Sequence, residues 1–435
     1  MDRAYYKNIL GLQDLYTYMG KIDKIVGMTV EASGIVGNIG DVCKVSVGDT
    51  GKEVLAEIVG FKEQKVLLMP YADTDGIGFG SRVVNTGAKL TINVSDALIG
   101  RTVDAMGKPM DDGEAVDGGI AMSISGKPSN PMARPRIENI IEMGVRAIDG
   151  CLTIGKGQRM GIFAGSGVGK STLMGMLARN VKADVNVIAL VGERGREVVE
   201  FMQRDLGEEG IKRSVMVVAT SDQPAMQRSK CALTATTIAE YFCNQGKDVL
   251  LMMDSLTRFC MAQREVGLAV GEPPVARGYT PSIYAELPKL LERAGNFEKG
   301  SITGIYTVLV EGDDTNEPIA DTVRSIIDGH IILSRKVAAQ NHYPAIDLLP
   351  SVSRLMSDIA PKSQSKAAAK LRNMMATYQN NQDLLSIGAY KHGANAELDA
   401  AIAHIDAINE FLMQSVDEKM TYSETQALLE EIMDN

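Results

Sequence analysis

The first part of the sequence alternates short apolar runs with turn residues. Between residues 24 and 95, runs rich in β-branched and aliphatic residues are separated by Gly and Asp, and the first of them, Lys24–Val30, predicts a strand. Similar runs follow at Val42–Val47, Glu53–Val59 and Lys65–Met69. Turn residues at this density are typical of small antiparallel barrels. The pattern therefore predicts a β-barrel domain over residues 24–95.

From about residue 96 the runs become longer and almost continuously apolar, and they alternate with segments of helical character. Strands that are apolar on both faces belong in a parallel sheet that helices cover on both sides. We therefore predict an α/β domain over residues 96–356. The apolar runs are Val185–Gly192, Ser214–Thr220, Asp248–Ser255, Ser301–Val310 and Gly329–Ser334.

Beyond residue 357 the strand patterns stop and apolar residues recur at helical spacing. Thr421–Glu424 has the form of a capping box at the start of a last helix. These features predict a helical C-terminal domain over residues 357–435. The residues at i, i+3, i+4 and i+7 are Leu371, Met374, Met375 and Tyr378, and then Leu398, Ala401, Ile402 and Ile405.

At the other end of the chain, residues 1–23 form a separate N-terminal segment. Its apolar residues recur at roughly helical spacing, which predicts an amphipathic helix. Such a helix could pack on its own domain or on a partner, and the spacing does not distinguish the two. The residues concerned are Tyr6, Ile9, Leu10, Leu12, Leu15, Tyr16 and Met19.

The motif with the most specific chemistry is Ala164–Ser171, between an apolar run and a helix-like stretch. It fits the Walker A form of phosphate-binding loop, with Ala in place of the first Gly. Glycines let backbone N–H groups point at phosphate oxygens, and the helix adds the positive end of its dipole. Lys170 is expected to reach the β- and γ-phosphates, and Ser171 to hold Mg²⁺. The predicted nucleoside triphosphate contacts are Gly165, Ser166, Gly167, Val168, Gly169, Lys170, Ser171 and Thr172.

Two acidic residues at predicted strand ends complete this candidate site. Asp254 ends an apolar run, and a carboxylate there would accept hydrogen bonds from the water shell of Mg²⁺. Glu193 follows another run, which is expected to form the strand beside the strand of the phosphate-binding loop. A carboxylate at the carboxyl end of that strand could orient a water molecule in line with the γ-phosphate. On composition alone, Val191–Glu197 is more typical of a solvated loop with mixed charges.

Composition narrows the classes of function. The net charge is −10 and aromatic residues make up 5% without tryptophan, so no nucleic-acid partner is expected. Five widely spaced cysteines and four histidines lack the spacing of a disulfide framework or zinc site. Neither a signal peptide nor an apolar stretch of about 20 residues is evident, so a cytosolic protein is expected unless a partner carries it to a membrane.

Further motifs occur in the order found in rotary-type ATPases. Pro344–Ser353 is similar to the signature of ATP synthase α/β-type subunits. Phe163–Ser171 most resembles the flagellar protein export ATPases of the type III secretion family. The resemblance extends from about residue 24 through the helical domain. The other motifs are Gly144–Asp149, Gly192–Arg194, Met253–Arg258, Gly271–Pro274 and Glu311–Asp321.

The resemblance implies roles for individual residues. It implies that Glu193 polarises the attacking water, that Arg194 contacts the γ-phosphate region and that Asp254 is the Walker B aspartate. It further implies that Tyr343 packs on adenine and that Arg354 is an arginine finger reaching into the neighbouring subunit's site. Taken alone, Tyr343 could be an ordinary packing residue and Arg354 a surface arginine.

For the whole protein, the resemblance implies a Mg²⁺-dependent ATP hydrolase with a RecA-like P-loop domain. It would form a homohexameric ring with sites between subunits. The implied partners are a stator-like regulator at the N-terminus, export chaperones and substrates at the helical domain, and a membrane export gate. The implied location is the cytoplasmic face of the membrane.

Several alternatives differ in function. The alternative most similar in function is a virulence-type injectisome ATPase. The amino-acid sequence of the phosphate-binding loop favours the flagellar branch. A non-catalytic nucleotide-binding ring subunit typically has glutamine where this chain has Glu193. A synthase β subunit normally begins its loop with Gly-Gly. An RNA-translocating helicase would need a basic, aromatic N-terminal domain, which residues 24–95 do not provide.

Overall fold

The structure, a computed structural model, describes residues 19–434 except 49, 115, 117 and 311–316. Most of the predicted N-terminal helix and the first part of the motif Glu311–Asp321 therefore lie outside the described residues. Met19, which the spacing assigned to that helix, instead begins the first strand. Among the described helices, none is long and apolar enough to cross a membrane.

Six strands form a closed antiparallel barrel at the N-terminal end of the described chain. They are β1 (Met19–Val26), β2 (Thr29–Ser33), β3 (Asp41–Val47), β4 (Lys52–Lys62), β5 (Lys65–Pro70) and β6 (Arg82–Lys89). Their order around the barrel is β1-β2-β5-β4-β3-β6. Side chains such as Ile22, Val45 and Leu68 are fully buried and fill the interior. The predicted barrel is confirmed, although its first strand begins before residue 24.

The run Lys24–Val30, predicted as one strand, is instead the tip of a hairpin. β1 ends at Val26 and β2 begins at Thr29, so two residues form the turn. Gly27 has a φ of +57°, in the left-handed region that glycine adopts without strain. The apolar pattern identified the paired strands, and the glycine within the run marks where they separate.

The central domain is built on a largely parallel sheet. Its strands are β8 (Thr102–Asp104), β12 (Arg159–Ala164), β13 (Val185–Val191), β14 (Ser214–Ala219), β15 (Asp248–Asp254), β16 (Gly295–Asn296), β17 (Ser301–Leu309), β18 (Gly329–Leu333) and β19 (Ile346–Ser353). Eight of them follow the order β19-β18-β12-β17-β15-β13-β14-β8. All neighbours from β8 to β18 are parallel, which confirms the predicted α/β fold. Two small sheets pair β7 (Thr91–Val94) with β9 (Ile120–Ser123) and β10 (Ile140–Ile141) with β11 (Ile154–Gly155).

Two strands of this sheet run against the others. β16 pairs antiparallel with β17, and β19 pairs antiparallel with β18 at the sheet edge. Neither was predicted from the apolar runs. β19 alternates buried with more exposed positions, as expected of an edge strand that is covered on one face.

Helices cover both faces of the sheet and build the C-terminal domain. They are α1 (Arg146–Cys151), α2 (Lys170–Asn180), α3 (Gly195–Glu200), α4 (Gly207–Lys212), α5 (Ala225–Asn244), α6 (Leu256–Ala269), α7 (Pro281–Leu291), α8 (Pro318–Ile326), α9 (Arg335–Ala339), α10 (Met356–Ile359), α11 (Lys362–Asn380), α12 (Gln382–Ser386), α13 (Ala396–Leu412) and α14 (Tyr422–Asp434). The predicted capping box is present at α14, where the Glu424 N–H lies 3.3 Å from Thr421 Oγ1 and the Thr421 N–H donates to the Glu424 carboxylate.

Each face of the sheet has its own apolar core, because successive strand residues point to opposite faces. On β13, Val187 packs in one core with Phe242 of α5 and Phe259 of α6. Ile188 packs in the other core, which contains residues of α1 and α2. Ala164 and Val168, at the two ends of the glycine-rich turn before α2, are buried in the second core, which anchors the loop there.

The C-terminal domain packs against the second of these cores. Phe411 of α13 and Leu429 of α14 are buried in it. Arg146, the first residue of α1, is also buried there, and its guanidinium donates to the carbonyl oxygens of Phe411, at 2.9 Å, and Met413. The helical domain is thus hydrogen-bonded to α1 and packs in the same core as α2.

Candidate nucleotide-binding and catalytic site

The loop between β12 and α2 has the strand–turn–helix geometry expected of a phosphate-binding loop. β12 ends at Ala164 and α2 begins at Lys170. Gly167 and Gly169 have φ values of +80° and +82°, which favour glycine. No atom lies within 4 Å of a Cβ built on Gly167, so backbone conformation rather than space explains the glycine there. The first turn of α2 lines the same cavity as the loop.

Lys170 lies between two carboxylates from neighbouring strands. Asp254, the last residue of β15, forms an ion pair with Nζ of Lys170, and Glu193 Oε1 lies 3.7 Å from the same nitrogen. The expectation that the strand before Glu193 lies beside β12 is wrong, because β17 and β15 lie between β12 and β13. β13 is instead adjacent and parallel to β15, so the carboxyl ends of β13 and β15 share one edge of the sheet. The structure therefore brings together these three residues. Thr307 of β17, which was not predicted, donates a hydrogen bond of 2.7 Å to Asp254 Oδ1.

Burial and charge change the proton affinity of these groups. Burial raises the pKa of Glu193 to about 7, with a further contribution from Asp254 and partial opposition from Lys170. Burial by itself lowers the pKa of Lys170, but the carboxylates of Asp254 and Glu193 outweigh it and raise that pKa above its ordinary value. Near neutral pH, Lys170 is charged and Glu193 is near the midpoint of its titration.

A cavity of about 660 Å³ opens beside Lys170 and Glu193. Its lining includes the phosphate-binding loop and Arg194, while Asp254 is buried behind the lining. Among the described residues, no hydrogen-bond partner is present for two buried atoms of the lining, Glu193 Oε1 and Arg258 Nε. Buried polar atoms are rarely left unpaired. The Glu193 oxygen can accept a hydrogen bond and the Arg258 nitrogen can donate one. Both groups in one cavity indicate a binding site for a polar ligand.

The cavity also contains residues that the sequence analysis did not identify. Glu197 lies four positions after Glu193, within hydrogen-bonding reach of it, and Arg258 lies four positions after Asp254. Both lie in segments noted in the sequence, Val191–Glu197 and Met253–Arg258, but neither was assigned to the site. Arg204 comes from a π-helical turn, Phe201–Leu206, which no local pattern predicted. The other lining residues that were missed are Thr257, Met261, Leu309, Val310, Glu317 and Arg335.

Tyr343 lies beside the phosphate-binding loop. A Cβ built on Gly169 would be 3.5 Å from Cδ1 of Tyr343. The tyrosine is 43% exposed, so part of its ring is open to solvent. It is not part of the cavity lining, and its position extends the site beyond the phosphate-binding loop.

Arg354 does not line this cavity. It follows β19 at the edge of the sheet, is exposed, and donates from Nη2 to the carbonyl oxygen of Arg324 at 3.1 Å. Arg194, in contrast, lines the cavity and forms an ion pair of 2.8 Å with Glu197. Four predicted site residues do not line the cavity: Val168 and Asp254, which are buried, Tyr343, which lies beside Gly169, and Arg354, which is exposed. The exposure of Arg354 is compatible with a finger that acts on another subunit.

Sequence comparisons identify the families that the three parts of the chain resemble. The family model described as "ATP synthase alpha/beta family, beta-barrel domain" matches residues 22–87. The model for the "ATP synthase alpha/beta family, nucleotide-binding domain" matches residues 144–353. The model for the "T3SS EscN ATPase C-terminal domain" matches residues 360–431.

Individual relatives are similar over nearly the whole chain. The "Flagellum-specific ATP synthase" of Bacillus subtilis (strain 168) is 53% identical, over 98% of this chain and 97% of the relative. The "Type 3 secretion system ATPase" of Xanthomonas euvesicatoria is 49% identical, over 96% and 94%. The solved structure of the assembled ATPase EscN from the type III secretion system of enteropathogenic E. coli has a TM-score of 0.90 at 46% identity, and it covers 95% of this chain and 100% of that chain.

Proposed function

The chain belongs to the ATP synthase α/β family, in its type III secretion ATPase branch, and is an ATP hydrolase; from this premise we propose that it powers export of flagellar proteins. The observation that carries the proposal is the meeting of Lys170, Glu193 and Asp254 at the carboxyl edge of the parallel sheet. The flagellar assignment rests on the similarity to the Bacillus subtilis relative and on the amino-acid sequence of the phosphate-binding loop.

The cavity suits the phosphate chain of ATP. Residues Gly165–Gly169 supply backbone N–H groups, and Lys170 supplies positive charge. An ammonium group has three donors, so Lys170 can keep its contact with Asp254 while it donates to phosphate oxygens. Thr172 lines the cavity one residue further along α2 than Ser171. The triphosphate therefore lies along the loop and the first turn of α2.

Mg²⁺ fits the same edge of the cavity. The described residues include no cluster of three or more His, Cys, Asp or Glu side chains that would hold a metal ion. Such a site needs phosphate oxygens as ligands, which is how Mg²⁺ is usually bound beside nucleotides. The Ser171 hydroxyl and the Asp254 carboxylate would hold the ion from the protein side. When bound, it neutralises charge on the β- and γ-phosphates.

Glu193 carries the proposed chemistry. Its unpaired Oε1 atom can accept a hydrogen bond from a water molecule and orient that water toward the γ-phosphorus. As the water oxygen bonds to phosphorus, its proton passes to Glu193 and the bond to the bridging oxygen breaks, which releases ADP and phosphate. Lys170 and Arg194 stabilise the negative charge on the transferred group.

The pH dependence of hydrolysis is expected to report the ionisation of Glu193. The carboxylate form accepts the proton, and the pKa of Glu193 is about 7. As pH falls through 7, Glu193 becomes protonated, so kcat/KM should decrease by about tenfold for each further pH unit. The measurement is kcat/KM for ATP between pH 5.5 and pH 9 with Mg²⁺ in excess. A flat profile through pH 7 would contradict the assignment of the base.

The Glu197→Gln variant separates Glu193 from other groups that titrate in this range. The Glu197 carboxylate beside Glu193 favours the protonated form of Glu193. Glutamine has no negative charge and can donate to a Glu193 carboxylate, so the pKa of Glu193 should fall in the variant. The acidic limb should move to lower pH in the variant. Protonation of ATP itself affects the unmodified protein and the variant equally. If the acidic limb of the kcat/KM profile does not move, a group other than Glu193 is titrating.

A ring of subunits accounts for the position of Arg354. The solved EscN structures are those of the assembled ATPase and of its complex with the central stalk EscO. By analogy, this chain forms a homohexamer in which Arg354 reaches the cavity of the next subunit. Residues 1–23 bind a stator-like regulator, and the helical domain engages export chaperones and their substrates, which pass to a membrane export gate. The ring then works in the cytoplasm, at the inner face of the membrane.

The export function is tested in the bacterium that carries the gene. Lys170→Ala at the chromosomal locus should abolish ATP binding and remove flagellar proteins from the culture medium. Lys182→Ala, at an exposed lysine 2.9 Å from Glu142, is the matched control and should leave export intact. Loss of other secreted proteins with normal flagellar export would favour an injectisome ATPase. Unchanged secretion would contradict a role in export.

A further inference from the structure

Gln414 is buried between the C-terminal domain and the loop that carries Tyr343. It follows α13, is 4% exposed, and donates from its backbone N–H to the carbonyl oxygen of Tyr343 at 3.0 Å. Its side-chain oxygen accepts the N–H of Arg146 at 2.8 Å, and its side-chain nitrogen donates to the carbonyl oxygen of Gly144 at 3.0 Å. One residue therefore links the Tyr343 loop to the chain just before α1.

The segment around Gln414 is itself fixed to the central domain. The guanidinium of Arg146 donates to the carbonyl of Met413 on one side of Gln414. On the other side, Arg179 in the last turn of α2 donates to the carbonyl of Val416 at 2.7 Å. The helix that begins at the phosphate-binding loop thus ends in contact with the segment that holds Tyr343.

The loop that carries Tyr343 has little regular structure of its own. It lies between α9 and β19, and Asn341 within it has a positive φ of 58°. The hydrogen bond from the His342 N–H to the Val337 carbonyl is long, at 3.4 Å. The bond from Gln414 therefore contributes to the position of the main chain at Tyr343, and through it to the position of the ring beside Gly169.

We infer that Gln414 is a positioning residue for recognition of the nucleotide base. It holds Tyr343 against the phosphate-binding loop, so that the ring meets the base, and it makes this contact depend on the C-terminal domain. The inference rests on the proposed contact between Tyr343 and the base. It predicts a specific pattern: loss of Gln414 weakens binding of the base and leaves binding of the phosphates by Lys170 unchanged.

The test compares ATP with inorganic tripolyphosphate, which has the phosphate chain but no base. Gln414→Met keeps the length of the side chain and removes its hydrogen bonds to Gly144, Arg146 and Glu418. The backbone N–H that donates to Tyr343 remains, but the segment that carries it is no longer anchored by the side chain. In the full-length protein with Mg²⁺, calorimetric titration should give an ATP affinity reduced about five- to tenfold, because the segment whose backbone bonds to Tyr343 has lost its side-chain anchor. The affinity for tripolyphosphate should not change.

Gln364 provides a matched control. It is also a fully buried glutamine at the junction of the two domains, and it donates to the carbonyl of Asp149 at 2.8 Å and to Thr153 Oγ1 at 2.9 Å. No hydrogen bond joins it to Tyr343. Gln364→Met should therefore weaken the junction between the central and C-terminal domains. The ratio of the affinity for ATP to the affinity for tripolyphosphate, called the affinity ratio below, should stay as in the unmodified protein. An equal change of the ratio in both variants would overturn the inference.

Tyr343→Ala separates this inference from the proposed base contact. If Tyr343→Ala lowers the affinity ratio and Gln414→Met does not, the base contact stands and the role of Gln414 is wrong. If Tyr343→Ala leaves the ratio unchanged, the base contact is wrong and the inference falls with it, whereas hydrolysis through Glu193 is unaffected. Should Gln414→Met not fold, Gln414→Glu keeps the acceptor for Arg146, loses the donor to Gly144, and should shift the ratio in the same direction.

Discussion

Replacement of Glu193 by glutamine is expected to abolish turnover while ATP remains bound. Glutamine has nearly the same shape but cannot accept the proton of the attacking water, so kcat should fall by about 10²- to 10⁴-fold. Binding should be maintained or tightened, because the change removes a negative charge 3.7 Å from Lys170 and close to the phosphates. Phosphate release at saturating ATP and displacement of a fluorescent nucleotide measure the two quantities.

Glu200→Gln is the matched control for this experiment. Glu200 lies in α3, forms a 2.7 Å ion pair with Arg196 and does not line the cavity. Its replacement removes the same charge from the same helical region and should leave hydrolysis close to normal. Near-normal hydrolysis by Glu193→Gln would show that another group activates the water. Equal losses in both variants would mean that the charge of this region, and not a base, limits the rate.

Arg354→Ala is expected to bind ATP normally and to lose about 10³-fold in turnover of the assembled protein, the usual cost of a missing arginine finger. The Arg354 side chain is exposed and does not line the cavity of its own subunit. The turnover of an isolated subunit should therefore not change in the variant. The measurement is the ATPase rate per subunit against protein concentration, with mass photometry on the same samples. In the unmodified protein the rate should rise as rings form, and in the variant it should stay low.

Mixing two inactive variants shows whether the arginine acts between subunits. A cavity of an Arg354→Ala subunit still contains Glu193, and a Glu193→Gln neighbour can supply the missing arginine. Activity should therefore appear on mixing. Glu193→Gln mixed with Lys170→Ala is the control and should show no comparable recovery, because a Lys170→Ala cavity binds no ATP and a Glu193→Gln cavity cannot activate water. If variants that assemble normally fail to complement each other, Arg354 does not act in trans.

The features that could be predicted from the sequence depend on short segments. The phosphate-binding loop is contained in eight residues, Ala164–Ser171, and its glycines have the positive φ values that the motif requires. Asp254 and Glu193 were expected at one edge of the sheet because the carboxyl ends of parallel strands share an edge, although only the resemblance to rotary-type ATPases favoured Glu193 over a solvated loop. Neither prediction needed the positions of distant parts of the chain.

The features that were missed depend on contacts between distant segments. Thr307 approaches Asp254 because β17 lies beside β15, an order that the apolar runs do not encode. Arg204 reaches the cavity through a π-helical turn whose residues carry no distinctive local signal. Gln414 contacts Arg146 across 268 positions of sequence. Packing of the complete chain, and not local preference, determines all three.

The segment from Tyr343 to Arg354 joins two different environments. It begins with a ring beside the chain's own phosphate-binding loop and ends with an arginine that faces outward. Between them β19, a strand of eight residues, extends for about 26 Å. Arg372 of α11 donates to the carbonyls of Leu348, at 2.9 Å, and Ser351, at 2.8 Å, so the helical domain is bonded to the strand along its length.

In a closed ring with head-to-tail contacts, the two neighbours of any subunit are not equivalent. In the proposed ring, the tyrosine end of this segment would contact the subunit's own nucleotide, and the arginine end would contact one neighbour and not the other. Any coupling carried by β19 would therefore have a direction around the ring, although every subunit is identical.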